Sequence, residues 1–504
     1  MDARVVSLSQ AYFQNVKNVF RMYNGNNNHS PPKEYTMTTR FFITITIILL
    51  YICTVTNGFA DDTAQQQLNN NNNDVVYIRA VEIHGNFTTR PDVLNRFITF
   101  KTGDVLDTSA LSATRNNLIK TQLYERIDIF PNMREDGAYV FIILKEAVRQ
   151  TLGYSGEYGT HKYGDKRLWW SAHVDAGLSN FRGRLEELSG GVSFWERRGA
   201  RASWHKPLLP TPYFIGTAAA VSIYPDEWYP IDYRDISARA TTGRYIGRYS
   251  QVSLSAIPIQ RHRTLKENFV LINDTTLIPL NAPDIYEAFG VLTFINDLRN
   301  RRFDPQRGWL LRNEISTNRL YYDLTKPFFQ FKNDFRFYQP LLFDDMIALR
   351  FSMTLRDNNA GYYHRLLYGD AGQIRGYSQK EIGQEFTANS SVLMSAKYHK
   401  PIWKAPALNM PLINMVYSSV QEVSYRVDAT LIADYARIYS DPQGALLFKG
   451  NRQEAVGLGG GIRVVIPEIR QSGCVDIVYG RRDAKEGSGY EWKPLLHVYL
   501  DLFY

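Results

Sequence analysis

The stretch ALRFSMTLR, residues 348–356, decides the fold of most of this chain. Apolar and polar side chains alternate along it: Leu349, Phe351, Met353 and Leu355 against Arg350, Ser352, Thr354 and Arg356. Because successive side chains of a β-strand point to opposite faces, this strand has one apolar and one polar face. The same period of two runs through QVSLSA (251–256) and LLHVYLDLFY (495–504). Residues 148–504 are therefore predicted to form β-strands.

Three features favour a transmembrane β-barrel over a β-sandwich for this region. An aromatic and a polar residue precede a proline in three segments, WHKPLL (204–209), YQPLLF (338–343) and YHKPIW (398–403). A proline cannot pair inside a central strand, so each segment is predicted to mark a membrane edge, where aromatic side chains collect. The region is too long for one sandwich but holds many strands of about ten residues. The last alternating strand ends in an aromatic residue, Tyr504, where a barrel would close.

Composition and motifs argue against several other classes of protein. The mean hydropathy of −0.32 is too low for a bundle of transmembrane helices. The net charge of +8 is spread without basic blocks, so nucleic acid is not an expected partner. GLGGG (457–461) completes no dinucleotide fingerprint and is interpreted as allowing strand curvature, and the nine histidines lack zinc-ligand spacing. We expect no enzyme, no cofactor and no metal. A soluble all-β binding protein stays open as an alternative.

One segment near the N-terminus is membrane-seeking. An apolar run at residues 41–52 follows Arg40 and precedes the small residues Gly58 and Ala60. This order is typical of a signal peptide that begins at Met37. A single membrane anchor is the alternative, although the run is short for a span. The predicted parts of the chain are an over-extended start (1–36), a signal peptide (37–60), a polar linker (61–74), an α+β domain (75–147) and the barrel (148–504).

The predicted α+β domain follows the order strand, helix, helix, strand, strand. Alternating apolar residues from Val76 to Ile83 predict the first strand. Pro91 favours the first turn of a helix, and a second helix is predicted after Asp107. Two strands flank the turn near Gly137. The domain is therefore small, with helices packed on a short sheet.

A glycine-rich loop, GDAGQIRGYSQKEIG (369–383), lies between two predicted strands. It contains Arg375, a bulky cation inside a flexible segment. An arginine on such a hairpin can fold back into the barrel lumen, where its planar guanidinium can bind a carboxylate through two hydrogen bonds. The alternative is that Arg375 is a solvated loop residue.

At these residues the chain resembles a known family, the outer-membrane superfamily of barrel-assembly and translocation proteins that includes BamA and TamA. Ile374-Arg375-Gly376-Tyr377, preceded by Gly369, matches the family's hydrophobic-Arg-Gly-aromatic motif. Upstream, Asp297, Pro305 and Gly308 fit its Asp…Pro-x-x-Gly pattern. The predicted α+β domain resembles one polypeptide-transport-associated (POTRA) domain of this family.

The resemblance implies a fold and a set of roles. One POTRA domain would precede a transmembrane antiparallel β-barrel of about sixteen strands. Arg375 would be anchored to an aspartate on a later strand, for which Asp434 is the best match, although Ala436 stands where the family usually has glycine. The first strand, near Gly153, and the last, ending at Tyr504, would meet at a seam with few hydrogen bonds. Such an edge can template an incoming strand.

The leading functional hypothesis is an outer-membrane assembly factor that inserts and folds β-barrel clients through this seam and a POTRA docking edge. The second is a translocation pore for one secreted partner, favoured by the single POTRA domain. The third is a passive or structural barrel. Expected partners are unfolded outer-membrane or secreted polypeptides, the lipid bilayer and accessory periplasmic subunits. The expected location is a bacterial outer membrane, with the POTRA domain in the periplasm.

Overall fold

The structure, a computed structural model, describes residues 76–504 apart from the following gaps: 122, 161–167, 209–210, 226–230, 247–248, 266–283, 302, 321–326, 342–343, 358–365, 367, 370–372, 379–380, 383–388, 407–421, 441–444, 447–451, 484–488 and 501–504. The predicted signal peptide, the predicted linker and Tyr504 lie outside the described residues. They therefore stay predictions.

The first described domain has the α+β arrangement that the sequence predicts. Its elements are β1 (Ile78–His84), α1 (Pro91–Leu94), α2 (Thr108–Thr121), β2 (Tyr124–Arg134) and β3 (Gly137–Glu146). Strand β3 lies in the centre of a three-stranded sheet, parallel to β1 and antiparallel to β2. Proline at the start of α1 costs no hydrogen bond, since that position has no partner inside a helix. The core is formed by buried apolar side chains: Ile78, Leu94, Leu118, Val140 and Ile142.

The rest of the described chain forms one antiparallel sheet of sixteen strands, in which neighbours in sequence are neighbours in space. Its strands are β4 (Gln150–Thr160), β5 (Leu168–Phe181), β6 (Glu186–Trp195), β7 (Arg198–Pro207), β8 (Tyr213–Pro225), β9 (Ile231–Ile246), β10 (Ser250–Leu265), β11 (Ile285–Asp297), β12 (Gly308–Leu320), β13 (Phe329–Pro340), β14 (Met346–Arg356), β15 (Ser390–Lys404), β16 (Arg426–Tyr439), β17 (Arg452–Ile466), β18 (Gln471–Asp483) and β19 (Tyr490–Leu500). The predicted transmembrane barrel preceded by a POTRA domain is confirmed.

The two faces of the sheet differ as the period-two pattern predicts. On β18, the side chains of Val475, Ile477 and Tyr479 are exposed, whereas those of Cys474 and Asp476 are buried. Exposed apolar side chains continue around the outer face, among them Val192, Leu254, Leu292, Leu431 and Val498. Lipid can cover such a band, while the polar residues between them face the lumen. Among the described helices, none combines the length and the apolar character that a membrane span requires.

The barrel has two distinguishable ends. We call the end at which the POTRA domain joins β4 the near end, and the opposite end the far end. Because the strands are antiparallel, the β5–β6, β11–β12 and β13–β14 turns lie at the near end and the β14–β15 loop begins at the far end. Pro207 and Pro340 are the last residues of β7 and β13, and Pro401 lies at a bulge near the end of β15. The three repeated proline segments therefore share the near end.

The POTRA domain contacts the barrel through the β5–β6 turn. The Asn180 side chain donates to the Thr89 hydroxyl over 2.8 Å, and the Arg90 backbone N–H donates to the Gly183 carbonyl over 3.2 Å. Leu185, from the same turn, packs against the POTRA core. These contacts tie the domain to the end of β5, the strand paired with β4.

The seam between the first and last barrel strands differs from every other junction in the sheet. Within the described residues no β-ladder joins β4 to β19. At the near end, Val423 and Ile469 form a small apolar cluster with Val148 and Leu152 of the first-strand region. Gly153 is buried in β4 and pairs with Asp175 of β5, on the side away from the seam.

A charge on the outer face of the barrel is expected to destabilise it, and a charge on the inner face is not. Val192→Arg would place a cation among apolar neighbours that face lipid, at a cost of about 2–4 kcal/mol near the membrane midplane. Ser189→Arg, on the same strand but on the opposite face, is the matched control and is expected to cost little. Urea titration of the protein in lipid vesicles measures both. Equal destabilisation by the two variants would contradict the assignment of faces.

Candidate functional site

The candidate site is the part of the β14–β15 connection that folds into the barrel, residues 366–382, here called the lumen loop. Tyr368 and Ile382 exchange two backbone hydrogen bonds of 2.9 and 2.8 Å, which close the hairpin. Gly369 adopts φ 127°, and a Cβ there would lie 2.1 Å from the Ser378 carbonyl oxygen. Only glycine allows the two arms to approach so closely, because it has no Cβ and tolerates positive φ.

Arg375 is held at the tip of the lumen loop by Asp434 of β16. The Asp434 carboxylate accepts hydrogen bonds from the Arg375 backbone N–H (2.9 Å), from Nε (2.8 Å) and from Nη2 (2.7 Å). Ser395 of β15 accepts from Nη2 over 2.8 Å and donates to Asp434 over 2.6 Å. The side chains of Arg375 and Asp434 are each 2% exposed. The structure therefore brings together the two residues that the family resemblance pairs.

The next two residues of the loop contact the last three strands of the barrel. The Gly376 N–H donates to His497 Nε2 of β19 over 2.9 Å, and the Gly376 carbonyl accepts from Arg482 of β18 over 3.0 Å. The Tyr377 hydroxyl accepts the Val456 N–H of β17 over 3.0 Å and donates to a carbonyl of β18. Together with the Arg375 contacts, the tip of the loop is bonded to β15, β16, β17, β18 and β19.

Two glycines in the barrel wall make room for the loop. A Cβ at Gly457 would lie 2.2 Å from the Arg375 carbonyl oxygen, and one at Gly480 would lie 2.1 Å from the Gly376 carbonyl oxygen. Gly376 itself has φ 89°. The sequence suggested strand curvature as the reason for the 457–461 glycines, but at Gly457 the reason is close approach of the lumen loop.

The lumen loop is also fastened by apolar packing. Its side chains Leu366, Tyr368, Ile374, Tyr377 and Ile382 form a buried cluster with Leu393, Ala436, Ile438 and Ala455 of the wall. Ala436 is the residue that departs from the family's usual glycine, and it is fully buried in this cluster. A methyl group at this position thus fits beneath the loop.

The upstream motif forms the β11–β12 turn at the near end, whereas the lumen loop enters from the far end. Asp297 binds Arg299 through both carboxylate oxygens, at 2.8 and 2.9 Å. Pro305 is buried. Gly308 adopts φ 103°, and a Cβ there would lie 2.2 Å from the Leu298 carbonyl oxygen. These three motif residues therefore shape a turn and do not join the lumen-loop site.

The turn carries a buried carboxylate that the sequence analysis missed. Asp304, directly before Pro305, is 7% exposed and binds Arg463 of β17 over 2.7 Å and Arg426 of β16 over 3.0 Å. Arg426 also binds Asp428 over 2.7 Å. The turn is thereby fixed to inward-facing residues on strands five places away in the sheet. The one local feature that distinguishes Asp304 is its positive φ of 45°, and this angle cannot be predicted from the sequence.

The charge on Asp304 is expected to stabilise the barrel in a pH-dependent way. Burial raises the pKa of Asp304, but the guanidinium groups of Arg463 and Arg426 lower it by more, so the net pKa lies below its usual value. The stabilisation is therefore present above the unfolded pKa of about 4 and is lost as the pH falls through the folded pKa.

Asp304→Asn is expected to lower the free energy of unfolding at neutral pH, and its difference from the native protein is expected to shrink below about pH 4. Urea unfolding across a pH series measures this difference. The control is Asp344→Asn, which removes an exposed near-end carboxylate paired with Lys404 and is expected to leave stability unchanged. A difference that stays constant down to the lowest pH would contradict the role of the Asp304 charge.

Arg375→Ala is expected to destabilise the barrel by about 3–5 kcal/mol, because Asp434 would be left as a buried charge without a partner. The measurement is heat-modifiability: the compact band of the unboiled protein should disappear at a lower temperature than in the native chain.

The control for this change is Arg201→Ala. Arg201 binds Asp175 with the same two-bond geometry, at 2.9 and 2.7 Å, but its side chain is 67% exposed, so the loss is expected to be about 0–1 kcal/mol. If the Arg375 variant melts no earlier than the Arg201 variant, the buried pair does not hold the loop.

Comparisons with known proteins agree with this fold. The Omp85 superfamily domain matches residues 180–467, and the POTRA family, described as surface antigen variable number repeat, matches residues 76–147. The crystal structure of BamA from Haemophilus ducreyi lacking POTRA domains 1–3 is similar, with a TM-score of 0.51 and 16% identity over 84% of this chain and 85% of that chain. CdiB from Acinetobacter baumannii has a TM-score of 0.53 and 14% identity, over 84% of this chain and 74% of that chain.

At these identities the two structures show the shared fold alone. No curated protein sequence matches the chain. The Omp85 match covers more than half of the chain, and it includes the lumen loop, its aspartate and the β11–β12 turn. The protein belongs to the Omp85 superfamily.

Proposed function

We propose that this protein is an assembly factor that inserts and folds β-barrel clients in a bacterial outer membrane. The observation that carries the proposal is the seam. Within the described residues β4 and β19 share no ladder, whereas every other pair of neighbouring strands does. The backbone groups of such an edge can pair with an incoming strand, which is β-augmentation inside a membrane. The protein would act by templating strands and not by catalysing a covalent reaction.

The surrounding lipid gives a second reason to expect strand pairing at the seam. A free strand edge in the hydrocarbon region leaves N–H and C=O groups without partners, and each costs several kcal/mol. A client strand that pairs with the seam removes that cost for both chains. The seam is therefore a place where an unfolded barrel polypeptide gains more by pairing than it would gain elsewhere in the membrane.

The groups that fill the lumen also favour a client path through the seam over a path along the barrel axis. The lumen loop is bonded to five consecutive strands, and the β11–β12 turn is fixed to β16 and β17 by Asp304. Both features narrow the path along the barrel axis. A polypeptide that used the axis would have to displace buried ion pairs, which are costly to break.

Barrels of this superfamily with POTRA domains are characteristic of the bacterial outer membrane, and we place the POTRA domain and the near end on the periplasmic side. Unfolded outer-membrane polypeptides would arrive there. The exposed edge strand β2 is the proposed docking edge, with accessory periplasmic subunits as further partners.

A second candidate is a translocation pore for one secreted partner. The POTRA repeat matched over residues 76–147, which offers a docking edge to a secreted chain as well as to a barrel client, is the observation that motivates it. In this function β19 would stay in the barrel wall, and the lumen loop would move aside for the passenger.

Depletion of the protein is expected to lower the abundance of several outer-membrane barrels, as measured by quantitative proteomics of outer membranes and culture medium. Loss of one secreted protein with normal barrels would instead support the pore. No change in either fraction would leave a passive barrel. Reexpression of the native chain is the control, because it should restore every affected protein.

A further inference from the structure

The last strand, β19, carries two polar side chains that face the lumen. Along β19 the outward residues Leu496 and Val498 are 50% and 65% exposed, whereas His497 is 8% exposed. Tyr499 follows with the same inward orientation as His497. Both inward side chains bind groups that do not belong to β19.

His497 connects β19 to the lumen loop. Its Nε2 atom accepts the backbone N–H of Gly376 over 2.9 Å at a buried position. Gly376 directly follows Arg375, which is fixed to Asp434 on β16. The hydrogen bond thus joins the last strand to a point that is anchored three strands away.

Tyr499 connects β19 to β15. Its hydroxyl accepts a hydrogen bond from Lys397 Nζ over 3.1 Å and donates to Asp476 Oδ2 over 2.6 Å. Lys397 Nζ lies 3.8 Å from Asp476, and both side chains are almost fully buried, at 4% and 0% exposed. Asp476 belongs to β18, which is also paired with β17, and Lys397 belongs to β15, so both would stay in the wall if β19 moved.

On its other side β19 has no ladder to β4 within the described residues. A strand with one ladder can tilt about that ladder, so the bonds on its lumen side decide how far it moves. Tilting β19 away from the wall would take the His497 and Tyr499 side chains away from the Gly376 N–H, the Lys397 ammonium group and the Asp476 carboxylate, all in a buried setting. A buried polar group that loses a hydrogen-bond partner is costly to leave unsatisfied, and a charged one costs more.

We propose that His497 and Tyr499 form a lumen latch that holds β19 in the barrel wall and sets how readily the seam opens to a client strand. The client class, an unfolded β-barrel polypeptide, rests on the proposed function. The role of His497 and Tyr499 in holding β19 does not rest on the proposed function.

The test measures the width of the seam directly. Spin labels are attached at Val174→Cys on β5 and Val498→Cys on β19, both outward-facing, and the distance between them is measured in lipid vesicles by pulsed EPR. Cys474 is buried and stays in place. The latch variants are His497→Ala, Tyr499→Phe and their combination. Each is expected to shift the distribution to distances longer by about 5 Å, one strand spacing, with the combination shifted most.

Two control variants separate a latch from general loosening of the barrel. His497→Gln keeps an acceptor for the Gly376 N–H and is expected to restore the native distribution. Leu496→Ala removes an outward side chain from the same strand and is expected to change nothing. If the combined variant loses its compact unboiled band, Tyr499→Phe, which removes one hydroxyl, supplies the measurement.

An unchanged distance distribution in folded His497→Ala and Tyr499→Phe variants would overturn the latch. The same vesicles, supplied with a urea-unfolded β-barrel client, report on the proposed function separately through the rate of client folding. A wider seam with no effect of native protein or variants on client folding would leave the latch standing and reject the assembly function. A wider seam with altered client folding would support both.

Discussion

The buried ion pair between Arg375 and Asp434 is the interaction on which the arrangement of the lumen depends. Two charges with side chains only 2% exposed are stable because each satisfies the other, with Ser395 and the loop backbone completing their hydrogen bonds. The glycines of the loop impose no conformation of their own. Once the pair forms, Gly376 and Tyr377 lie within hydrogen-bond distance of the last three strands. The ion pair thus fixes the tip of the lumen loop against the barrel wall.

The barrel wall obeys a second constraint, because lipid cannot satisfy free backbone groups. Ladders meet this constraint everywhere in the described sheet except at the seam. Contacts outside the ladders support the regions on both sides of the seam. The lumen loop and Lys397 contact β19, and the POTRA domain contacts the turn that follows β5 through Asn180 and Gly183. The junction between β4 and β19 is therefore held in place without a ladder that closes it in the described sheet.

The predictions from sequence succeeded where a pattern is local or a motif is specific. Alternating side chains identified the strands, and the proline segments, the length of the region and its aromatic end favoured a barrel. The family resemblance of the loop motif led to the pairing of Arg375 with Asp434. The analysis missed Asp304, whose partner Arg463 is 159 residues away in the chain. It also misjudged Gly457, because the need for glycine there comes from a loop that packs against it. His497 carries no motif at all, and its role depends on which backbone N–H lies opposite.

The sequence by itself determined the type of each element and the face that each side chain occupies, because a period of two is a property of neighbouring residues. It also determined that an arginine would stand on a glycine-rich loop. Only the tertiary structure decided which strands this loop reaches, which carboxylate the β11–β12 turn delivers to Arg463, and what holds β19. The physical reason is that barrel formation brings together groups from distant parts of the chain. Their pairing depends on distance and burial, which no local pattern encodes.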